Sequence, residues 1–387
     1  LIMSKSNETT PNVPTLRFPN YSGEWQVSSM GKDCTFRKGY GISKENLSSD
    51  GTPCVLYGEL YTTYKTAIAK NIKSKTSLDS TTLFHSKKND VIIPCSGETA
   101  EDIATSVCIP YDDILLGGDL TVIRSDLDGA FLSNQINSVR KYDIARIAQG
   151  KSIVHLQADE LKKISIAYPT IEEQQKISGF IDKIDERIEV QNKIISKYET
   201  LIKGIRERVV NGGWQWKKLD ELIQEGIVRL NRGNIIPKHQ KDNTYKYPVY
   251  SSSTQNNGLM GYNNTYMFDK ELITWSIDGG GNFFYRKKHK FNVTNVCGIM
   301  QVDENVYSYR FIAEMLTYQH SKMKFDYQSK AHPSVISSLY SLPCLPISEQ
   351  NSYCQLFVAL DRKMQIEQYG LNKLKEQKKY LLSKMFI

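Results

Sequence analysis

Gly150-Lys151-Ser152 has the residue types that close a phosphate-cradling loop, in which backbone N–H groups and a lysine hold the phosphates of a nucleotide. Ala145 stands where the first glycine of such a loop belongs, so the spacing predicts no nucleotide site, and Lys151 is better suited to touch a single phosphate. Gly279-Gly280-Gly281 lacks the strand–loop–helix spacing of a dinucleotide fingerprint and reads as a flexible loop. Asp112-Asp113 and the pair Asp126 and Asp128 offer carboxylates for a metal-dependent nuclease, but they lie among turn residues, and turn formation accounts for them. The cysteines at 34, 54, 95, 108, 297, 344 and 354 form neither a CxxC pair nor a cysteine–histidine spacing suited to zinc. An odd number of cysteines without a framework fits reduced thiols in a cytoplasm. A DNA methyltransferase needs a Gly-rich cofactor loop and an Asn/Asp-Pro-Pro-Tyr/Phe turn, and this sequence has no Pro-Pro pair. Serine, histidine and aspartate occur without a nucleophile context. The expectation is a non-catalytic chain with no metal site and no cofactor of its own.

What remains is binding chemistry. The net charge of +8 suits a polyanionic partner. It is unevenly placed: residues 1–212 are neutral by count, residues 213–345 carry 16 Lys+Arg against 11 Asp+Glu, and residues 346–387 carry 7 against 4. No apolar run reaches the length of about 18 residues that a membrane span needs, and no leader pattern precedes Met3, which reads as the natural start. A cytoplasmic protein without membrane contact is expected.

The sequence reads twice. Shifted by 176, Ile171, Glu173, Gln174 and Asp185 meet Ile347, Glu349, Gln350 and Asp361. Thr170 with Glu173 has the form of a capping box, and Pro346 suits a first helical turn, so both copies predict helix starts. Behind each start runs a 4-3 spacing, from Ile177 through Ile181, Ile184, Ile188, Gln191 and Ile195 to Val209, and from Tyr353 through Phe357, Leu360, Met364, Glu367 and Leu371 to Met385. More than four heptads in each copy predict a coiled-coil pair. The preceding segments correspond as well: Gly23-Glu24-Trp25-Gln26 with Gly212-Gly213-Trp214-Gln215, and the apolar run Val91-Ile92-Ile93 with Leu272-Ile273-Thr274-Trp275. Each segment mixes strand patterns with short helices.

The order globule, long helix, globule, long helix, the tryptophan near each globule's start and the proline-led Glu-Gln helix openings resemble the specificity subunits of type I restriction-modification systems. The stretch Pro53-Cys54-Val55-Leu56-Tyr57-Gly58-Glu59-Leu60-Tyr61-Thr62-Thr63-Tyr64 also resembles that family's first recognition domain. The resemblance implies an α+β fold, with two pseudo-repeated globular DNA target-recognition domains separated by an antiparallel coiled coil of two long helices. The divisions expected are a disordered tail over 1–12, recognition domains over 13–168 and 212–344, and spacer helices over 169–211 and 345–387. It further implies a bipartite, asymmetric double-stranded DNA target, with adenine methylation and restriction performed by partners. Those partners would be two methyltransferase subunits and restriction/translocase subunits, which would hold S-adenosylmethionine, ATP and Mg. A coiled-coil scaffold that binds only proteins is the alternative reading; the basic second half and the duplicated polar loops argue against it.

Base edges are read by Arg, Lys, Asn and Gln, and phosphates by Lys, Arg, Ser, Thr, Tyr and backbone N–H groups. In the first globule this favours Arg37, Lys38, Tyr40, Lys44, Tyr61, Thr62, Thr63, Tyr64, Lys65, Ser96, Lys151 and His155. In the second it favours Arg229, Asn231, Arg232, Asn234, Tyr250, Ser251, Ser252, Ser253, Gln255, Asn256, Asn257, Ser276, Lys330 and His332. The run Arg286-Lys287-Lys288-His289-Lys290 offers a phosphate patch or a solvated hairpin, and His155 and His332 are expected to correspond. In the helical seam, Gln191 and Glu367 occupy the same repeat position and are expected to pair and fix the coiled-coil register.

Overall fold

The computed structural model describes residues 12–150, 153–236, 245–323 and 330–387. These form two compact units, one running up to Asn192 and including Tyr369–Ile387, the other Lys193–Gln368.

The first unit is framed by the antiparallel pair Gln26–Ser29 and Ser165–Tyr168. Its main sheet has the antiparallel order Cys34–Lys38, Leu120–Ser125, Asp90–Pro94, Val107–Ile109. Asp90–Pro94 is buried along its whole length because both sheet faces are covered: Val91 and Ile93 enter one core with Ile123 and Ile136, while Ile92 enters another with Val107 and Val122. A strand covered on both faces reads as a continuous apolar run and not as an alternation. The helix Gly129–Asn137 backs the sheet, its N-terminus capped by the Asp128 carboxylate, which accepts from the Phe131 N–H at 2.7 Å.

The second unit repeats this plan. Its framing pair is Trp216–Lys218 with Ser341–Pro343. Val228–Arg232, Cys297–Val302 and Phe268–Ser276 take the places of the first three strands above, and Phe283–Val293 that of the fourth, within a six-stranded sheet. The backing helix is Tyr309–Lys322. Glutamine fastens the backing helix to the frame in both units: Gln135 Nε2 donates to the Ala167 carbonyl at 2.6 Å, and Gln319 Nε2 to the Ser341 carbonyl at 2.9 Å.

The predicted long helices are Ile171–Val210 and Ile347–Met385. Within the first unit the head of one meets the tail of the other. Ile177, Ile181 and Ile184 are buried with Leu381, Met385, Trp25 and Phe131, so the two segments run antiparallel there. Beside this apolar seam Lys378 donates to the Asp185 carboxylate at 2.6 Å. In the second unit Val209 and Tyr353 pack on the sheet core, and Arg310 bonds Asp361 at 2.7 Å. The expected α+β class with two repeated globules and two long helices is what the structure shows.

The helix start differs from the expected capping box. Glu173 is buried and holds the Arg17 guanidinium through two bonds of 2.7 Å. Its neighbour Glu172 turns back instead, and its own backbone N–H and the Thr170 hydroxyl hold its carboxyl below the usual value. The two tryptophans differ in depth: Trp25 is buried against Phe131 and Phe386, whereas Trp214 is only partly covered. No helix among the described residues is long and apolar enough to cross a membrane.

Candidate nucleic-acid interface

In the first unit the strand Cys34–Lys38 sets Lys38 opposite Thr121 and Arg37 opposite Val122. It ends at Gly39, whose N–H donates to the Leu120 carbonyl at 3.0 Å. A Cβ at Gly39 would stand 2.3 Å from the Gly117 carbonyl oxygen, so only glycine lets the chain turn here. The strand Asp90–Pro94 ends where Cys95 N–H donates to the Asp119 carbonyl at 2.7 Å, and Leu156 N–H returns to the Cys95 carbonyl at 2.9 Å. His155 pairs with Ser96 in a short antiparallel ladder. Three chain segments thus meet around a cavity of about 310 Å³ lined by Arg37, Lys38, Thr121, His155 and Gln157. Arg37, Lys38, His155 and Gln157 are all exposed.

The other candidates in this unit go elsewhere. Thr63, Tyr64 and Lys65 line a separate cleft of about 1110 Å³ with Lys70, Asp182, Glu186, Lys375 and Lys379. Thr62 Oγ1 donates to the Gly58 carbonyl at 2.7 Å, and Lys65 Nζ to the Tyr61 carbonyl at 2.9 Å. Tyr64 and Ser96 are buried and belong to the fold, not to an exposed face. Tyr40 is exposed and meets the Phe84 ring edge-on at 6.3 Å, while Lys44 opens a single turn, Lys44–Asn46. Lys151 lies outside the described residues.

The second unit builds a matching corner. Asn231 and Arg232 lie opposite Ile299 and Gly298, and Gly233 N–H donates to the Cys297 carbonyl at 3.1 Å. A Cβ on Gly233 would stand 2.2 Å from the Val293 carbonyl oxygen. Asn234 bridges to Thr294, whose hydroxyl donates to Ser251 Oγ at 3.1 Å. Ser276 Oγ donates to the Ser252 carbonyl at 2.5 Å. Ser276 is therefore a buried tie between two loops and is not on the surface. Ser253 Oγ accepts from the Gln255 N–H at 3.2 Å, and Asn256 and Asn257 turn the loop with φ of 47° and 51°, a region that asparagine tolerates. Gln255, Asn256, Asn257, Arg229, Asn231 and Arg232 are exposed, and Lys330 lies 3.5 Å from Asp278.

The structure also corrects two sequence readings. Arg286 is buried and no part of a surface patch: its guanidinium lies 3.6 Å from the Tyr250 ring centre, its Nε donates to Thr274 Oγ1 at 2.9 Å, and burial lowers its pKa to about 10. His155 does not correspond to His332. Ile277 N–H donates to the Val296 carbonyl and Ala331 N–H to the Ile277 carbonyl, repeating the bonds of Cys95 and Leu156. Counting from these ladders, Lys330 takes the place of His155, and His332 that of Gln157. Residue type alone could not reveal this, because the segments leading to the two histidines differ in length.

The aspartates behave as turn residues. Asp112 accepts from the Lys88 N–H at 2.9 Å, Asp113 has φ of 61°, and Asp128 caps a helix. Among the described residues no group of three His, Cys, Asp or Glu side chains is placed to hold a metal ion. Gln191 falls in the first unit and Glu367 in the second.

The family model for the type I restriction modification DNA specificity domain matches the sequence over residues 22–200 and again over 211–376. The chain belongs to this family. A Mycoplasma pneumoniae protein described as type I specificity subunit S.MpnORF285P is 37% identical over 132 residues, covering 32% of this chain and 42% of that protein. The specificity subunit of the type I restriction enzyme MpnII from the same organism is 26% identical over 178 residues, covering 41% of this chain and 54% of that one. The stretches matched by the first relatives span between 25% and 49% of their length. The crystal structure of an S subunit of a type I restriction-modification system from M. genitalium superposes with a TM-score of 0.68 at 17% identity, over 97% of this chain and 99% of that one. The specificity-domain fold therefore runs through both halves of the sequence.

Proposed function

We propose that this chain is the DNA-reading subunit of a type I restriction-modification complex, each unit reading one short half of a split, asymmetric target. The observation that carries the reading is the duplicated corner. Gly39 and Gly233 make the same close approach on the same strand order, while the side chains presented around them differ. One framework with two sets of polar side chains is what two unlike half-sites require. Two linked readers also bind far more tightly than either alone, because the second contact is intramolecular. Methyl transfer to adenine and DNA cleavage would belong to two methyltransferase subunits and to restriction/translocase subunits, with S-adenosylmethionine, ATP and Mg held there.

The test is to co-purify the chain with its methyltransferase and assay S-adenosylmethionine-dependent DNA methylation with and without it, mapping modified bases by sequencing. Methylation confined to adenines in a two-part motif, and dependent on this chain, is the expected result. A co-purifying chain that leaves methylation unchanged identifies a protein-binding scaffold instead, and a chain that methylates DNA alone overturns its non-catalytic role.

A further inference from the structure

We propose that Gln157 in the first unit and His332 in the second are equivalent base-reading positions, each flanked by a phosphate-contacting side chain two residues earlier, His155 or Lys330. The assignment rests on the DNA-reading function above and names which side chains of the duplicated corner carry sequence information.

The equivalence comes from backbone hydrogen bonds, not from residue type. Gly39 to Leu120 matches Gly233 to Cys297, Cys95 to Asp119 matches Ile277 to Val296, and Leu156 to Cys95 matches Ala331 to Ile277. These three pairs of bonds align four surface positions: Arg37 with Asn231, Lys38 with Arg232, His155 with Lys330, and Gln157 with His332. The aligned positions fall into two classes. Lys38/Arg232 keep a cation and His155/Lys330 a nitrogen side chain that can meet a phosphate in both units, which suits the backbone that every half-site shares. Arg37/Asn231 and Gln157/His332 change type between units, as readers of two different base sequences must. In the first unit all four residues line the same 310 Å³ cavity.

Gln157 and His332 have a second property in common. Each directly precedes a short helix, Ala158–Leu161 or Pro333–Leu339, yet neither side chain caps it. Such positions usually hold Ser, Thr, Asp or Asn, whose short side chains reach the first free N–H groups. Here both side chains are exposed, while the residue just before each is pinned into the ladder. A polar side chain on a fixed backbone is what a base edge needs: the Gln157 amide offers one donor and one acceptor in the geometry that matches adenine N6 and N7 in the major groove.

The test uses the full chain with its methyltransferase on a library of duplexes randomised across both half-sites, sequencing the methylated products. Gln157→Ala is expected to relax preference at one base pair of one half-site by about tenfold or more, leaving the other half-site unchanged. His332→Ala should do the same in the opposite half-site. Lys38→Ala should weaken all sequences alike and reduce the slope of log affinity against log salt by about one. A folded Gln157→Ala protein with unchanged preference at every base pair, or one weakened uniformly across sequences, overturns the assignment. A wild-type complex that methylates nothing overturns the DNA-reading function itself, and this assignment with it.

Discussion

Gln174 and Gln350 make the same hydrogen bonds in the two halves of the chain. Gln174 Oε1 accepts from the Asp128 N–H at 2.9 Å and its Nε2 donates to the Pro169 carbonyl at 2.8 Å. Gln350 Oε1 accepts from the Ser308 N–H at 3.0 Å and its Nε2 donates to the Leu345 carbonyl at 2.9 Å. Asp128 and Ser308 stand at the N-caps of the two backing helices. One buried amide therefore joins the first turn of each long helix to the N-terminus of the backing helix of its own unit.

Replacing either glutamine by leucine should destabilise its unit, because the backbone groups left behind lose their partners. The cost is about 1–3 kcal/mol for each unsatisfied group. Gln350 also donates to the Val306 carbonyl at 2.8 Å, so Gln350→Leu should cost more than Gln174→Leu. Urea unfolding of the two variants measures the order, and an equal or reversed ranking would refute it.

The repeat made both glutamines visible in the sequence but not their task, since Gln174 meets Asp128 across 46 residues. Strand and helix types were legible where the apolar pattern is strong: the continuous run Val91 to Ile93 read as a strand, and the 4-3 spacing of Ile177, Ile181 and Ile184 as the helical seam. The Glu173 carboxylate that the box at Thr170 called for is held by Arg17 instead, while Glu172 takes the Thr170 hydroxyl and its own N–H. The basic run at 286–290 read as wholly exposed, whether as a phosphate patch or as a solvated hairpin, because composition does not record which face of a strand a residue takes. Arg286 points inward, and an irregularity in pairing between Lys270 and Leu272 breaks the alternation before Lys287 and Lys288 reach solvent. At the candidate interface the sequence supplied Arg37, Lys38 and His155 but missed Gln157, which becomes noticeable only once the ladder from Leu156 to Cys95 is known.

The chain alone should bind DNA weakly. Residues 1–170 carry 19 cations against 19 anions, and affinity for DNA rests largely on phosphate neutralisation. At physiological salt the isolated chain is expected to bind with a Kd of about micromolar or weaker, tightening when the methyltransferase adds its cations. Fluorescence anisotropy on the mapped target measures both, and specific nanomolar binding by the chain alone would contradict the expectation.

The two units should be separable readers. Exchanging residues 25–160 for the matching part of a relative removes Arg37, Lys38, His155 and Gln157 together but leaves both long helices in place, with Gln174 and its bond to the Pro169 carbonyl. Methylome sequencing should then show one half of the motif replaced and the other retained. Loss of both halves by a folded, complex-forming chimera would mean that the units do not read independently.

Asp185 and Lys378 should contribute less as a pair than either costs when left alone. Their side chains are 7% and 17% exposed, with nitrogen and oxygen 2.6 Å apart. Burial raises the Asp185 carboxyl above its usual value in spite of the ammonium beside it, so desolvation outweighs the attraction. The sign follows from linkage. With the folded value above the unfolded one, the folded state binds the proton more tightly, so this group's contribution is full below the ordinary carboxylate value and is lost as pH rises through the raised one. Lys378→Met removes the compensating cation and should destabilise the first unit by about 3 kcal/mol near neutral pH. Its deficit relative to wild type should shrink on acidification, because protonation neutralises the stranded carboxylate. The double variant Asp185→Leu/Lys378→Met leaves no buried charge and should recover most of the loss, as buried ion pairs replaced by apolar side chains commonly do. A urea-unfolding cycle on wild type, both singles and the double, run at about pH 5 and about pH 8, resolves the terms. A double variant as unstable as Lys378→Met would show that the pair itself stabilises the helix contact.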